Sequence, residues 1–169
     1  MLRIGVITIS DKGSTGQRED LSGPAITEQL ELAGHETVEY RIVPDELEDI
    51  KEVLQYFCDK RVLDVVFTTG STGLSSRDVT PEATLQIADR QVPGIAEAMR
   101  IQTWMKSPRS MLSRGVAVTR GTTLVINLPG SPKAVRECLD VILPVLEHTV
   151  GILKGSATEC AETNHKYCE

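Results

Sequence analysis

The sequence predicts an α/β fold, a three-layer α/β/α sandwich built on a mostly parallel sheet with one antiparallel strand. Short apolar runs alternate with amphipathic stretches along the first half of the chain, which is typical of β-α-β units. The run at 2–9 is almost continuously apolar and rich in β-branched residues, as expected of a central parallel strand. Two apolar runs within 116–127 lie on either side of Arg120-Gly121, which predicts a hairpin and one antiparallel strand.

The first half of the chain has the order strand, helix, strand, helix, strand. After the first strand, Ser22-Gly-Pro24 is expected to cap a helix that Gly34 ends. Apolar and charged residues alternate at 38–42, which predicts a half-exposed strand near a sheet edge. Asp45 and Glu48 then resemble a capping box in front of an amphipathic helix. This alternation implies right-handed crossovers between parallel strands.

The second half contains two predicted helices with an apolar stretch between them. We expect one from Pro81 to Asp89, with Thr80 as its N-cap. Pro93-Gly94 then breaks the chain before a second apolar stretch. The last helix opens at Ser131-Pro132, and we expect a kink or break where Pro144 falls inside it.

Length and composition limit the possible classes of protein. The 169 residues show no break in composition, so we expect one domain at 1–155 and a polar tail at 156–169. The net charge of −6 argues against nucleic-acid partners, because nucleic-acid binding depends on phosphate neutralisation by Lys and Arg. We find neither a secretory signal nor a stretch of about 20 apolar residues, so we expect a cytoplasmic protein without membrane contacts.

The four cysteines fall into two groups. Cys58 and Cys138 lie in helical stretches and are expected to be small buried hydrophobes. The tail carries ligand types for zinc at Cys160, His165 and Cys168. Three ligands at these spacings match no standard zinc finger, so we do not expect a metal site there.

The most informative stretch is 63–84, which combines a short apolar run, a Gly/Ser/Thr loop and a helix start. Gly70 and Gly73 permit positive φ and close approach of a ligand, while Ser71 and Thr72 add hydroxyl groups. Strand, loop and helix are the parts from which phosphate cradles are built. The stretch has neither a P-loop ending nor a dinucleotide fingerprint, so a simple tight turn remains the alternative.

An acid follows this loop directly, at Asp78. A carboxylate beside a phosphate cradle repels the ligand unless a divalent cation lies between them, and Mg²⁺ is commonly held by one or two carboxylates plus phosphate oxygens. The alternative is a solvated ion pair between Asp78 and Arg77.

Four loops are expected to meet at one edge of the sheet. They are Ser10-Asp11, Pro44-Asp45, Gly70 to Asp78, and Asn127 to Ser131, and each follows a predicted strand. Ligands of open α/β sheets bind in the crevice beyond the carboxyl ends of the strands, so these loops predict one composite site. Within it, Asp11 is a weaker candidate than the other residues.

Several segments together resemble one known family. Thr68 to Gly73, followed by Ser76 to Ala83, resembles the signature of the molybdenum cofactor biosynthesis family that includes the molybdopterin adenylyltransferases MogA and MoaB. Further segments fit the same family in the same order, and they are Gly5–Asp11, Val43–Glu46, Leu112–Arg114 and Ile126–Pro132. The resemblance covers about residues 2–155, nearly the whole chain.

The resemblance implies a reaction and its residues. Members of the family transfer AMP from Mg-ATP to the terminal phosphate of molybdopterin and release pyrophosphate. By resemblance, Asp45 and Asp78 are the catalytic acids and the Mg²⁺ ligands. The residues that bind the two substrates, ATP and molybdopterin, are then expected to be Ser10, Gly70, Ser71, Thr72, Gly73, Ser113, Arg114, Asn127, Pro129, Gly130 and Ser131. A homotrimer and a downstream molybdenum-insertion enzyme as partner are further expectations.

One departure and several alternatives remain open. The family's commonest loop has glycine where this chain has Ser71, whose β-carbon restricts positive φ. Asp45 can instead be a simple N-cap, Ser113-Arg114 an ordinary connection, and His35 and His148 surface residues. A pterin-binding scaffold without turnover, or another nucleotide-phosphate enzyme on the same fold, are the competing functions. The sequence separates neither MogA-like from MoaB-like members nor molybdenum from tungsten pathways.

Overall fold

A computed structural model describes residues 1–156, which form a six-stranded sheet with helices on both faces. The strands are β1 (Arg3–Ile9), β2 (Glu36–Val43), β3 (Val65–Thr69), β4 (Arg90–Gln91), β5 (Ala117–Arg120) and β6 (Thr123–Leu128). Their order across the sheet is β2-β1-β3-β6-β5-β4. Strands β2, β1, β3 and β6 are parallel, and β5 is antiparallel to both of its neighbours. The predicted mostly parallel sheet with one antiparallel strand is confirmed.

The helices form the outer two layers of the sandwich. They are α1 (Asp11–Ser14), α2 (Ser22–Leu32), α3 (Leu47–Gln55), α4 (Thr80–Gln86), α5 (Pro93–Trp104) and α6 (Pro132–Leu153). A π-helical turn at Tyr56–Lys60 extends α3, and a 3₁₀ turn at Pro108–Leu112 follows α5. One apolar core packs α2, α5 and α6 on the sheet, and a second packs α3 and α4 on its other face.

The two cores arise from the alternation of side chains along each strand. In β3, Val65 and Phe67 face the core with α2, α5 and α6, whereas Val66 faces the core with α3 and α4. All three side chains are fully buried. A strand that is apolar on both faces can be accommodated only between two layers of helices, so the apolar runs and the three layers have one physical cause.

The hairpin and the edge strand are confirmed, whereas the helix after the central loop is shorter than predicted. Helix α4 ends at Gln86 and not at Asp89. The Asp89 amide donates instead to the Thr119 oxygen at 2.8 Å, and Arg90–Gln91 pairs with β5. Hydrogen bonding to the edge of the sheet therefore replaces the last helical turn, which local sequence preference does not reveal.

Two further local predictions concern Pro144 and His35. The break expected at Pro144 is wrong, because α6 continues through this residue, whereas the alternative of a kink stays a prediction. Pro144 is exposed, so the hydrogen bond that proline removes lies on the side where water replaces it. His35 is buried and not at the surface, because it packs beneath the start of β1, where its Nδ1 accepts from the Leu2 amide at 3.4 Å.

The cap of α2 is also different from the predicted one. The helix begins at Ser22, but the capping side chain is Asp20. Its carboxylate accepts hydrogen bonds from the Ser22 amide at 2.9 Å and the Gly23 amide at 3.2 Å. The same carboxylate accepts from the hydroxyl of Thr8 at 2.6 Å and from that of Tyr40. Asp20 therefore joins α2 to β1 and β2.

The remaining predictions concern cysteines and membrane contact. Cys58 and Cys138 are buried free thiols, as predicted. Their pKa values are raised by burial to about 12 and about 11, respectively. The predictions for Cys160, His165 and Cys168 lie outside the described residues. Within residues 1–156, no helix is long and apolar enough to span a membrane.

Candidate active site

The predicted loops meet at the carboxyl edge of the sheet and contact one another. The Ser10 amide donates to the Val43 oxygen at 2.9 Å, which ties the loop after β1 to the end of β2. The Thr69 hydroxyl donates to the Pro129 oxygen at 2.7 Å, which ties the end of β3 to the loop after β6. The topology therefore brings the four loops to one edge, as predicted from the parallel strands.

The Asp45 carboxylate faces the loop after β1. The Asp11 amide donates to Asp45 Oδ2 at 2.7 Å, and the Asp45 amide donates to Asp11 Oδ1 at 3.0 Å. The predicted capping box is wrong, because Glu46 precedes α3 and provides no side-chain cap, while Asp45 points elsewhere. Asp11, the weaker candidate from sequence, is thus bonded directly to a predicted cation ligand. Among the described residues, Asp45 Oδ1 accepts no hydrogen bond from the protein.

Asp78 lies inside the central loop and is positioned by the loop backbone. Its Oδ2 accepts from the Ser75 amide at 2.8 Å. A β-carbon at Gly73 would lie 2.9 Å from the same oxygen, so glycine at this position leaves space for the acid. The alternative ion pair with Arg77 is not formed, because Arg77 contacts Asp11 and Glu46 instead.

The turn at Gly70 and Ser71 has left-handed backbone geometry. Gly70 has φ of +98°, and a β-carbon there would lie 2.4 Å from the Ile9 oxygen. Ser71 has φ of +55° in spite of its β-carbon. Its hydroxyl donates to the Arg77 oxygen at 3.2 Å and accepts from the Val79 amide at 3.0 Å. These two bonds close the loop and offset the strain of a non-glycine residue at positive φ.

Arg114 supports the central loop and is not part of an ordinary connection. Its side chain donates to the Gly73 oxygen at 2.6 Å and to the Asp78 oxygen at 2.5 Å, and it pairs with Glu82. Burial raises the pKa of Glu82, but the hydrogen bond and the charge of Arg114 together with a backbone hydrogen bond outweigh burial, so this pKa is lowered. The main-chain amide of Arg114 also donates to the Thr72 oxygen. Arg114 therefore fixes the loop in which Asp78 lies.

Asn127, like Arg114, holds neighbouring elements of the fold together. Its side-chain nitrogen donates to the hydroxyls of Thr68 and Thr84, each at 2.9 Å, and its Oδ1 accepts from the Val116 amide at 3.2 Å. The residue is buried. Asn127 thus holds β3, α4 and the start of β5 together beneath the site.

Two grooves open beside these loops. The larger groove has a volume of about 630 Å³, and the smaller groove about 360 Å³. Of the predicted binding residues, the larger groove contains Thr72, Gly73, Ser113, Asn127, Pro129 and Ser131. The smaller groove contains Ser10, Gly70, Ser71 and Gly130. Because Pro129 and Ser131 line one groove and Gly130 the other, the turn after β6 lies between the two grooves.

The larger groove also contains residues that the sequence reasoning missed. Its apolar wall includes Leu74, Met99 and Leu112, and its cations include Lys106 and Lys133. Leu74 lies in the central loop and Leu112 in the segment Leu112–Arg114, whereas no motif marks Met99, Lys106 or Lys133. Only the tertiary structure brings them to the same groove.

The electrostatics of the site follow from these contacts. The Asp11 carboxylate has a lowered pKa, mainly because it accepts the Asp45 amide and also because Arg77 lies beside it. The pKa of Arg77 is raised by Glu46 and Asp11. At neutral pH the site therefore carries an ionised acid and a guanidinium in direct contact.

A metal would need ligands from outside the protein. Within residues 1–156, no group of three or more His, Cys, Asp or Glu side chains is arranged to hold a metal ion. Asp45 and Asp78 each keep one carboxylate oxygen that accepts no hydrogen bond from the described protein residues. Each of these oxygens is of the type that binds Mg²⁺ together with phosphate oxygens and water.

The fold and the grooves define an α/β protein with a small-molecule site at the carboxyl edge of its sheet. Residues 5–148 match the sequence family described as "probable molybdopterin binding domain", and the chain belongs to this family. Its relatives have a defined activity. The molybdopterin adenylyltransferase of Helicobacter pylori J99 is 41% identical over 165 residues, which cover 96% of this chain and 94% of that protein. The molybdopterin adenylyltransferase of Escherichia coli K12 is 43% identical over 141 residues, 82% of this chain and 72% of that protein.

A solved structure has the same fold. The molybdopterin biosynthesis enzyme MoaB of Thermus thermophilus superposes with a TM-score of 0.87 at 50% sequence identity. The superposition covers 92% of this chain and 98% of that chain. The similarity in fold therefore covers nearly the whole chain.

Proposed function

We propose that this protein is a molybdopterin adenylyltransferase of molybdenum cofactor biosynthesis. In the reaction, the terminal phosphate of molybdopterin attacks the α-phosphorus of ATP, the bond to the β-phosphate breaks, and pyrophosphate leaves. The observation that carries the proposal is the pair of grooves on either side of the turn at Pro129–Ser131, because group transfer needs two substrates that meet at one point. The two adenylyltransferase relatives support it.

The larger groove suits molybdopterin. Leu74, Met99 and Leu112 offer an apolar wall to a flat ring system, and Lys106 and Lys133 offer positive charge to a phosphate. Within residues 1–156 neither lysine forms an ion pair with an acid of the chain. Their charges are therefore available to a ligand.

The smaller groove suits the nucleotide. Gly70 and Gly130 line it and permit close approach of phosphate groups to the backbone, and Ser10 adds a hydroxyl. The Ser71 hydroxyl is engaged inside the loop, so we assign it to loop closure and not to phosphate binding. Asp45 and Asp78 would hold Mg²⁺ on the ATP phosphates, where the ion would neutralise negative charge.

The test is AMP incorporation into molybdopterin by the purified protein with Mg-ATP. We expect transfer by the wild type and at least about a 100-fold loss in Asp45→Asn and in Asp78→Asn. Asp49→Asn removes an exposed acid on α3 and serves as the matched control with unchanged activity. Absence of transfer by a wild type that still binds molybdopterin would contradict the proposal and support the scaffold alternative.

Assembly and location belong to the same proposal. We place the protein in the cytoplasm as a homotrimer whose product passes to a molybdenum-insertion enzyme. Ile101, in the last turn of α5, and Met105, just after the helix, are 71% and 83% exposed, which supports their burial in an interface. Sedimentation analysis tests the trimer, since a monomer at micromolar concentration would contradict it.

A further inference from the structure

One arginine side chain spans three of the loops at the candidate site. Arg77 Nη2 lies 3.1 Å and 3.0 Å from the two carboxylate oxygens of Asp11 and 2.8 Å from Glu46 Oε1. Arg77 belongs to the loop after β3, Asp11 follows β1, and Glu46 follows β2. A single guanidinium therefore joins the loops that follow three neighbouring strands.

The residues on either side of this link are the two predicted cation ligands. On one side, Asp11 is bonded to Asp45 by the two reciprocal amide–carboxylate hydrogen bonds. On the other side, Asp78 follows Arg77 directly in the chain, and the Arg77 oxygen accepts from the Ser71 hydroxyl. Asp45 and Asp78 are thus connected through Arg77 and Asp11.

The described residues offer no second polar link between the central loop and the other two loops. Among the residues that the structure describes, the Arg77 ion pairs are the only hydrogen-bonded or charged contacts between 71–79 and the loops at 10–16 and 44–46. Arg114 holds the central loop from its other side, through Glu82 and loop carbonyls. Loss of Arg77 would leave the central loop supported on one side only.

We propose that Arg77 is a positioning residue that sets the Asp45 carboxylate relative to the Asp78 carboxylate for adenylyl transfer, an inference that rests on the proposed function. The Arg77 and Asp11 side chains are 52% and 47% exposed, and ion pairs this exposed contribute little to folding stability. The link therefore matters for the geometry of the site more than for folding. Small displacements of catalytic groups cost about 100-fold in rate.

The alternative is that Arg77 forms an ordinary surface ion pair without a role in the reaction, and this alternative makes a different prediction. If Arg77 only adds surface charge, its removal changes neither turnover nor the local mobility of the loops. If it positions the two acids, its removal lowers kcat and loosens three loops while the melting temperature stays the same.

The experiment compares Arg77→Met, Arg77→Lys and the control Arg136→Met. Arg136 forms a similarly exposed ion pair with Glu28, away from both grooves. We expect Arg77→Met to lower kcat about 10- to 100-fold with KM for molybdopterin unchanged. Arg77→Lys should recover part of the loss, because one ammonium reaches a carboxylate but lacks the fork that spans two acids. Arg136→Met should behave as the wild type.

Hydrogen exchange provides a readout that does not require turnover. In Arg77→Met we expect faster amide exchange within 10–16, 44–47 and 71–79 and unchanged exchange in the central strands. Unchanged exchange in these loops, or wild-type kcat in Arg77→Met, would overturn the inference, as would a general loss of stability. Failure of the wild type to transfer AMP would overturn the proposed function, while the exchange result would still decide whether Arg77 holds the loops.

Discussion

Asp11 and Asp45 are joined by two reciprocal hydrogen bonds, in which the main-chain amide of each residue donates to the carboxylate of the other. The pair links the loop after β1 to the loop after β2 at the edge of the sheet where both grooves open. A carboxylate bonded in this way has a fixed orientation, because rotation of its side chain would break an amide hydrogen bond. The arrangement preorganises Asp45 before any ligand binds.

The Asp11–Asp45 pair predicts different effects for two substitutions of Asp11. Asp11→Asn keeps an oxygen that accepts from the Asp45 amide but loses the charge that faces Arg77, whereas Asp11→Ala loses both contacts. We therefore expect AMP transfer to decrease in Asp11→Asn and to decrease further in Asp11→Ala, as measured by kcat. Equal activity in both variants and the wild type would contradict a role for the pair.

Gly70 should tolerate no side chain. An alanine β-carbon there would lie 2.4 Å from the Ile9 oxygen, at a φ of +98°. We expect Gly70→Ala to lower the free energy of unfolding by more than about 3 kcal/mol, measured by urea denaturation. Gly94→Ala is the control, since its β-carbon meets no atom within 4 Å and alanine favours a helix. A similar small effect at both positions would contradict the close contact.

Ser71 combines strained backbone geometry with two hydrogen bonds from its hydroxyl. Ser71→Ala loses both bonds and keeps the β-carbon at positive φ, so we expect it to be less stable by about 1–2 kcal/mol. Ser71→Gly loses the same bonds but relieves the strain, so we expect it to fall within about 1 kcal/mol of the wild type. Thermal unfolding of both variants tests the order. If the two variants have the same melting temperature, backbone strain at Ser71 is negligible.

Asp20 should make folding stability depend on pH in the acidic range. Burial alone raises the pKa of its carboxyl, but hydrogen bonds from Thr8, Tyr40 and Ser22 outweigh it, so the pKa is lowered on folding. The stabilisation is therefore fully present above the unfolded pKa of about 4 and disappears as the pH falls through the lower folded pKa, a window that lies below about pH 4. We expect Asp20→Asn to be less stable at pH 7 and to depend less on pH in this window.

Tyr40→Phe is the matched control for Asp20. The pKa of Tyr40 is raised to about 12, by burial and by hydrogen bonding to Asp20, so the phenol is neutral at pH 7. Removing it takes one donor from Asp20 and leaves the cap of α2 intact. Its stability loss should be smaller than the loss of about 1–2 kcal/mol expected when the cap is removed in Asp20→Ala. Equal losses in Tyr40→Phe and Asp20→Ala would contradict the capping role.

The positive charge of the larger groove predicts a specific change in substrate binding. We expect Lys133→Met to raise KM for molybdopterin about tenfold and to leave KM for ATP unchanged, because Lys133 lines only the larger groove. The effect should shrink at high ionic strength. Lys60→Met, on the π-helical turn away from both grooves, is the control. A change in KM for ATP alone would contradict this assignment and indicate that the larger groove binds ATP and the smaller groove binds molybdopterin.

Local sequence patterns predict those elements whose burial shows in their own residues. The β1 run is apolar on both faces because both faces pack on helices, and β2 alternates because it lies at the edge. The order of strands and loops was therefore predictable. The end of α4 and the burial of His35 were not, since each depends on a hydrogen-bonding partner distant in sequence, Thr119 and Leu2 respectively.

The features of the site likewise fall into those that the sequence determines and those that the tertiary structure determines. The sequence alone determined that glycine, hydroxyl and acidic residues follow the parallel strands, and that these strands end at one edge of the sheet. Only the tertiary structure decided which acid contacts which: Asp45 bonds to Asp11 and not to its own helix, and Arg77 pairs across the loops and not with Asp78. The physical reason is that chemistry is carried by residue type and local spacing, whereas pairing between loops depends on distances that only the packed sheet sets.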